Sequence, residues 1–338
     1  MTAWRWLVAD RRRLIGAGAL ALVAIGLGAV VGFVTLTSTP APTASPSPTA
    51  PPSPTPSPSP SPSPTPSPSP TPTPSPEPTL STATDGRFTV LVLGSDSSAE
   101  RRARGKAGLT DAIVALSVAD DGSDVVLVSL PRDTTDLAMP DGSIWPNKVN
   151  AITAIRGAAV MRDTMALMLG IPIDGYVLVD MDDFARLVDA VGGVTVSVPY
   201  TLSDKRCTIN PGTQHLNGAL ALCFARNRVS DSDYARDGRH QQLLLAIRDR
   251  LLAGTVNISA LVSALPSLTT DLPLGNLAAY VDILSRSRDA HVDRLVLAPP
   301  TYTTFAGTTA DRGWISIPNV PAIRAAVAEL LGFSPTPG

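Results

Sequence analysis

The sequence predicts an α/β domain with a mixed central β-sheet flanked by helices. One N-terminal transmembrane helix and a proline-rich linker are expected ahead of it. Three observations carry this reading. Leu14 to Leu36 contains no charged residue. Residues 37–84 are almost wholly Ser, Thr, Pro and Ala and hold more than half of the 33 prolines. From residue 85 onward, short apolar runs interleave with segments of helical period, which is the pattern of a layered α/β domain.

The N-terminal tail, residues 1–13, carries Arg5, Arg11, Arg12 and Arg13 against Asp10. The apolar stretch 14–36 is long enough to cross a hydrocarbon core of about 30 Å. Arginines ahead of the span place the tail in the cytoplasm and the rest outside the cell membrane. A cleaved signal peptide is the competing reading, but its apolar region usually runs only about 7–15 residues, so an uncleaved single-pass anchor is favoured. Residues 37–84 lack the composition for a packed core and favour extended polyproline II. The segment is either a stalk lifting the domain into the cell wall or a disordered tether. The remaining domain, 85–333, is ample for one core.

Within that domain Phe88 to Leu93, Ala112 to Val118 and Val125 to Leu130 read as strands. Ala151 to Leu169 has helical period, and Tyr176 to Val179 is a short strand. Met181 to Val191 is a helix stopped by Gly192-Gly193. Val194 to Val198 alternates like a strand, Leu216 to Leu222 is helical, and Tyr234 to Leu252 is a long amphipathic helix. Further helices are expected around Leu261 and Leu277, a strand at Val292 to Leu297 and a last helix at Val320 to Leu331.

A formal net charge of −2 argues against nucleic acid as a partner. GxSxG, HExxH, SxxK and Walker A signatures are absent. The histidines His215, His240 and His291 lack metal-ligand spacing and read as surface or helix residues. Cys207 and Cys223 form a disulfide if the domain is exported, or else are two buried thiols. The chemistry then falls to carboxylates and arginines around Ser129-Leu130-Pro131-Arg132-Asp133-Thr134, where an apolar strand emerges at a sheet rim. Asp96 follows one strand and Asp111 precedes the next. They are hard ligands suited to Mg²⁺, or simple turn residues. Arg226 and Arg228 share a face if that segment is extended, and two guanidiniums side by side match phosphate oxygens. Asp233 and Arg236 open the long helix, with Asp233 also placed as an N-cap. Lys148 and Asn150 flank another helix start.

These residues lie in motifs that resemble the LytR–CpsA–Psr family of bacterial envelope proteins. The motifs are LVLGSD at 91–96, TDAIVALSV at 110–118, VVLVSLPRDT at 125–134 and KVNAI at 148–152. GIPIDGYVLVDMDDFARLVDAVGGVTVSVP at 170–199, LNGALALCFARNR at 216–228 and DYARDGRHQQ at 233–242 complete the set. The resemblance implies a membrane-anchored phosphotransferase. Such an enzyme moves a glycopolymer from a polyprenyl diphosphate carrier to a peptidoglycan hydroxyl through a phosphodiester, with an apolar pocket for the lipid tail. It further implies that Asp96 and Asp111 hold Mg²⁺ and that Arg132, Arg226 and Arg228 grip the diphosphate. Lys148, Asn150, Arg236 and Gln242 complete the polar rim, and Asp133 or Asp233 takes the acceptor proton.

Two positions depart from the family pattern. Leu109 stands where arginine is frequent, with Arg104 or Lys106 as substitutes, and His240 stands where glutamine is frequent. A non-catalytic polyprenyl-phosphate-binding or regulatory envelope protein, or a polyprenyl diphosphatase, are the alternative readings.

Overall fold

The computed structural model describes residues 86–106, 108–228, 232–254, 256, 261, 268–273 and 276–332. The expected cytoplasmic tail, membrane span and linker lie outside the described residues, as does most of the stretch around Leu261. No helix among the described residues is long and apolar enough to cross a membrane.

Strand β1 (Arg87–Ser95) is apolar on both sides, as a doubly covered strand must be. Leu91 and Leu93 point to one face of the sheet, and Phe88, Val90 and Val92 to the other. A short helix α1 (Ala99–Ala103), capped by Ser98, leads to β2 (Thr110–Ala119) and β3 (Asp124–Ser129). Two-residue strands β4 (Leu137–Ala138) and β5 (Ile144–Trp145) pair with each other. A 3₁₀ turn at Val149–Ala151 precedes α2 (Ile152–Arg156) and α3 (Ala158–Leu169). The single helix expected over 151–169 is thus two, broken at Gly157, whose φ of 94° suits only glycine.

The chain continues through β6 (Gly175–Val179) and α4 (Met181–Ala190), whose Asp180 cap accepts the Asp183 amide. Next come β7 (Val194–Val198), β8 (Leu202–Ser203), β9 (Thr208–Ile209) and β10 (Gly212–Leu216). Helices α5 (Gly218–Arg226) and α6 (Asp233–Leu252) follow. The last elements are β11 (Thr269–Thr270), α7 (Leu277–Arg286), β12 (His291–Val296), β13 (Thr303–Thr309), β14 (Gly313–Pro318) and α8 (Val320–Leu330). The β13–β14 hairpin is not expected from the sequence. Its threonines and glycines alternate weakly, and much of it is half-exposed.

The sheet has the order β11-β6-β1-β2-β3-β12. It is mixed: β1 runs antiparallel to β2 and parallel to β6, while β3 runs antiparallel to β2 and parallel to β12. One face packs against Met161 and Met165 of α3 and Ile323 and Val327 of α8. The other faces Tyr280 and Ile283 of α7 and Leu244 and Leu245 of α6. Helix α6 also closes a second core with α4, α5 and β7.

Gln241 fastens α6 to the sheet. Its side-chain amide donates to Ser129 Oγ at 2.9 Å and Leu295 O at 2.8 Å, and it lies 3.3 Å from Leu127 O. It is 1% exposed, so the partners it leaves on truncation would be buried and unsatisfied. Replacing Gln241 by Leu should lower the free energy of unfolding by about 1–3 kcal/mol. Chemical denaturation checks this, and an unchanged midpoint would contradict it.

Candidate functional site

Between α6 and the sheet face bearing Phe88 and Val90 the two layers do not meet along their whole length. They leave a cavity of about 420 Å³. Its walls are aliphatic, with Val90, Val114 and Leu127 from the sheet and Leu243, Ile247 and Ile283 from the helices. Its polar lining includes Asp96, Asp111, Arg132, Arg206, Arg226, Arg228, Arg236 and His240. These come from segments far apart in sequence, carried to one place by adjacent strand ends and by the facing ends of α5 and α6.

The antiparallel pairing of β1 and β2 brings Asp96 and Asp111 together. The Asp96 amide donates to Leu109 O at 2.8 Å, and Leu109 N donates to Asp96 Oδ1 at 2.7 Å. Gly108 permits this approach, because a Cβ there would lie 2.8 Å from Ser97 Cβ. Position 109 therefore orients Asp96 through its backbone. Asp111 is the second residue of β2 rather than a residue ahead of it.

Arg132 is the hub. Its Nη1 donates to Asp111 Oδ1 at 2.8 Å, and its Nε lies 3.5 Å from Asp233 and 3.8 Å from Asp133. Burial opposes its charge, but Asp111, Asp133 and Asp233 outweigh that and raise its pKa. Asp233 also meets Arg236 at 3.0 Å and Arg228 at 3.6 Å. Burial pushes the Asp233 carboxyl up, yet Arg236, Arg132 and Arg228 together hold it below the usual carboxylate range.

Positive charge is in excess at this site. Burial first, then Arg206, lowers the pKa of Arg226; burial first, then Arg236 and Arg132, lowers that of Arg228. Arg236 is 2% exposed, and beyond its ion pair with Asp233 its guanidinium nitrogens have no hydrogen-bond partner among the described residues. Buried cations without full pairing are costly, and an anion in the cavity mouth would relieve the cost.

Arg226 is the last residue of α5, not part of an extended segment. It reaches the cavity beside Arg228 because Asn227, with φ −62° and ψ 135°, turns the chain out of the helix. The end of α5 is held from α6. Arg239 donates to Phe224 O at 2.9 Å and Asn227 O at 2.5 Å, and His240 Nε2 donates to Ala225 O at 3.0 Å. His240 is thus a helix residue, as expected, and a largely buried one that caps the end of α5. A Cys207–Cys223 disulfide, with Cα atoms 6.5 Å apart, ties the β8–β9 loop to the same helix. That loop carries Arg206, a cavity residue absent from the sequence motifs.

Other expected positions fall differently. Gln242 donates to Ser197 O at 3.1 Å on β7 and is not part of the rim. Lys148 binds Asp133 at 2.7 Å, and the Asn150 amide lies 3.3 Å from Arg132 O, so both buttress the 132–134 loop from behind. Asn150 makes no helix cap bond, and the α6 N-cap is Ser232, leaving Asp233 free to face the arginines. Arg104 pairs outward with Glu100, and the guanidinium on Asp96 is Arg101, at 2.8 Å.

As a Mg²⁺ site, Asp96 and Asp111 offer two hard carboxylates at one mouth. An octahedral ion would take its remaining ligands from water and substrate phosphates. Here Asp96 pairs with Arg101 and Asp111 with Arg132, so an ion would have to share these carboxylates with the guanidinium groups. Among the described residues the one cluster of three potential ligands, Asp204, Cys207 and Cys223, is occupied by the disulfide.

Residues 65–310 match the profile of the LytR_cpsA_psr family. The chain is 32% identical over 173 residues to the polyisoprenyl-teichoic acid–peptidoglycan teichoic acid transferase TagV of Bacillus subtilis, covering 48% of this chain and 44% of that one. It is 33% identical over 196 residues to the corresponding TagU of Halalkalibacterium halodurans, covering 56% and 62%. The chain therefore spans about half the length of these curated relatives. The crystal structure of B. subtilis TagV superposes with a TM-score of 0.60 at 26% identity, over 75% of this chain and 100% of that one.

Two buried groups below the arginines give the domain a distinctive pH response. Burial, against the pull of Arg236, pushes the Asp237 carboxyl up to about 8. Burial, with Arg236 adding, pulls His240 down to about 3 from 6.5. The raised carboxyl keeps a proton that the unfolded chain has lost, so its contribution to stability falls as pH rises toward about 8. The histidine contribution runs the other way and is complete above about 6.5. The thermal midpoint should therefore decline between these two values, and Asp237→Asn should flatten that decline. An equal decline in the variant, followed by calorimetry, would contradict the assignment.

Proposed function

Because this chain belongs to the LytR–CpsA–Psr family, we propose that it is a phosphotransferase of the bacterial cell envelope. In this reading it moves a glycopolymer from a polyprenyl diphosphate carrier to a peptidoglycan hydroxyl. Relatives named as polyisoprenyl-teichoic acid–peptidoglycan teichoic acid transferases support the reaction class. The uncharged stretch Leu14 to Leu36 supports a single-pass membrane anchor with the domain outside. One observation carries the proposal: an excess of buried guanidinium groups at the polar end of an aliphatic cavity. A ligand that is anionic at one end and a long hydrocarbon at the other matches both halves.

The lipid tail lies along the aliphatic walls, and its diphosphate sits among Arg132, Arg226, Arg228 and Arg236. An acceptor hydroxyl attacks the sugar-side phosphorus, and the bond from that phosphorus to the bridging oxygen breaks. Polyprenyl phosphate leaves, and a glycan–peptidoglycan phosphodiester remains. Such transfers depend on positioning and charge neutralisation more than on covalent help from the protein. Asp96 and Asp111 would hold Mg²⁺, which when bound supplies further charge neutralisation on the phosphates. Asp111 and Asp233 keep Arg132 and Arg228 directed at the mouth. The acceptor proton passes to Asp133 or Asp233, whose carboxylates flank Arg132 Nε at 3.8 and 3.5 Å.

Replacing Arg226 or Arg132 by Ala should lower glycopolymer transfer from a lipid diphosphate about 100- to 1,000-fold. The check is a transfer assay on purified full-length variants with unchanged thermal midpoints. Undiminished transfer would contradict the proposal.

A further inference from the structure

We infer that Trp314, with Tyr234, forms a platform for the acceptor saccharide on the solvent side of the arginine cluster. The inference rests on the transferase reading above and names the subsite that reading leaves open. Its basis is the β13–β14 hairpin, which is bonded directly to the loop carrying Arg132. Thr135 N donates to Ser316 O at 2.8 Å, and Ser316 N donates to Asp133 O at 3.2 Å. Thr134 Oγ1 and Ser316 Oγ lie 3.3 Å apart. Arg312 secures the tip of the hairpin, with Nη1 3.0 Å from Asp136 and 3.2 Å from Pro146 O.

Ser316 is 2% exposed, whereas Trp314, two residues along the strand and so on the same side, is 47% exposed. The Trp314 side chain lies within reach of the Tyr234 side chain at the start of α6, where its N–H works against the burial that raises the Tyr234 pKa. Tyr234 follows Asp233, whose carboxylate touches Arg132, Arg228 and Arg236. Neither aromatic residue lines the cavity. The pair therefore stands outside the mouth, next to both candidate proton acceptors.

Burial does not explain an indole held in this position. Trp145, by contrast, is 7% exposed and donates its Nε1 to Lys148 O. Nor is the platform a second anion site, since its cations are already matched: Arg312 with Asp136, and Lys148 with Asp133. Large aromatic rings with a polar tip favour surfaces that are apolar on one side and wet on the other. A pyranose ring offers that combination, with C–H groups for the indole face and hydroxyls for the Tyr234 oxygen. With the lipid in the cavity and the diphosphate at its mouth, an in-line acceptor must approach from outside. That is the side on which Trp314 stands.

The test uses the full-length protein and a tetrasaccharide of alternating N-acetylglucosamine and N-acetylmuramic acid without stem peptide. Direct binding is read by equilibrium dialysis, and the acceptor and donor KM by transfer assay. Trp314→Ala should weaken saccharide binding and raise acceptor KM about three- to ten-fold, leaving the KM for lipid diphosphate unchanged. Trp314→Phe should restore most of the loss, and Trp314→Leu should not. Unchanged saccharide binding in Trp314→Ala would overturn the inference, as would an equal rise in donor KM or failure of the wild-type chain to bind the saccharide. Saccharide binding without any transfer by the wild-type chain would instead count against the transferase reading, so the two failures are separable.

Discussion

The site depends on an electrostatic imbalance held at the end of an apolar cavity. Arg132 alone is well compensated, with three carboxylates around it. Arg226, Arg228 and Arg236 share what remains, and burial and mutual repulsion both act against the charge on Arg226 and Arg228. A protein can hold such groups together only where the surrounding structure fixes them and a ligand later supplies the missing negative charge. In an aqueous groove the same arginines would be screened and separated.

Helix α6 does most of the fixing. Gln241 binds it to β3 and β12, and Arg239 and His240 hold the carbonyl end of α5. Asp233 and Arg236 occupy its first turns. One helix therefore sets both the distance between the layers and the direction of the guanidinium groups. The cavity exists because β1, β2 and β3 are apolar on both faces, while only one face is filled completely by α3 and α8. The disulfide adds a second tether to α5 and brings Arg206 to the same lining.

The strands and long helices were legible in the sequence because apolar runs and helical periodicity are local signals. The convergence of Asp96, Asp111, Arg132, Arg226 and Arg228 was legible only through the family resemblance, since each signal alone also fits a turn or a solvated edge. Arg226 and Arg228 do share the cavity, but by a helix end and a turn at Asn227 rather than by extended backbone. Gln242 faces β7 while its neighbour Gln241 enters the interior, a one-residue difference in phase on a helix that a sequence motif does not resolve. Arg101, Arg206 and the β13–β14 hairpin left no local signal. Their positions come from a salt bridge, a disulfide and backbone bonds between segments distant in sequence.

The most direct measurement compares binding of a polyprenyl diphosphate with that of the polyprenyl alcohol of equal chain length to the full-length protein. The account predicts that the diphosphate binds at least about a hundred-fold more tightly, because two or more charge-assisted contacts are lost in the alcohol. Equal affinity for the two lipids would show that the arginine cluster does not recognise phosphate, and would contradict the account.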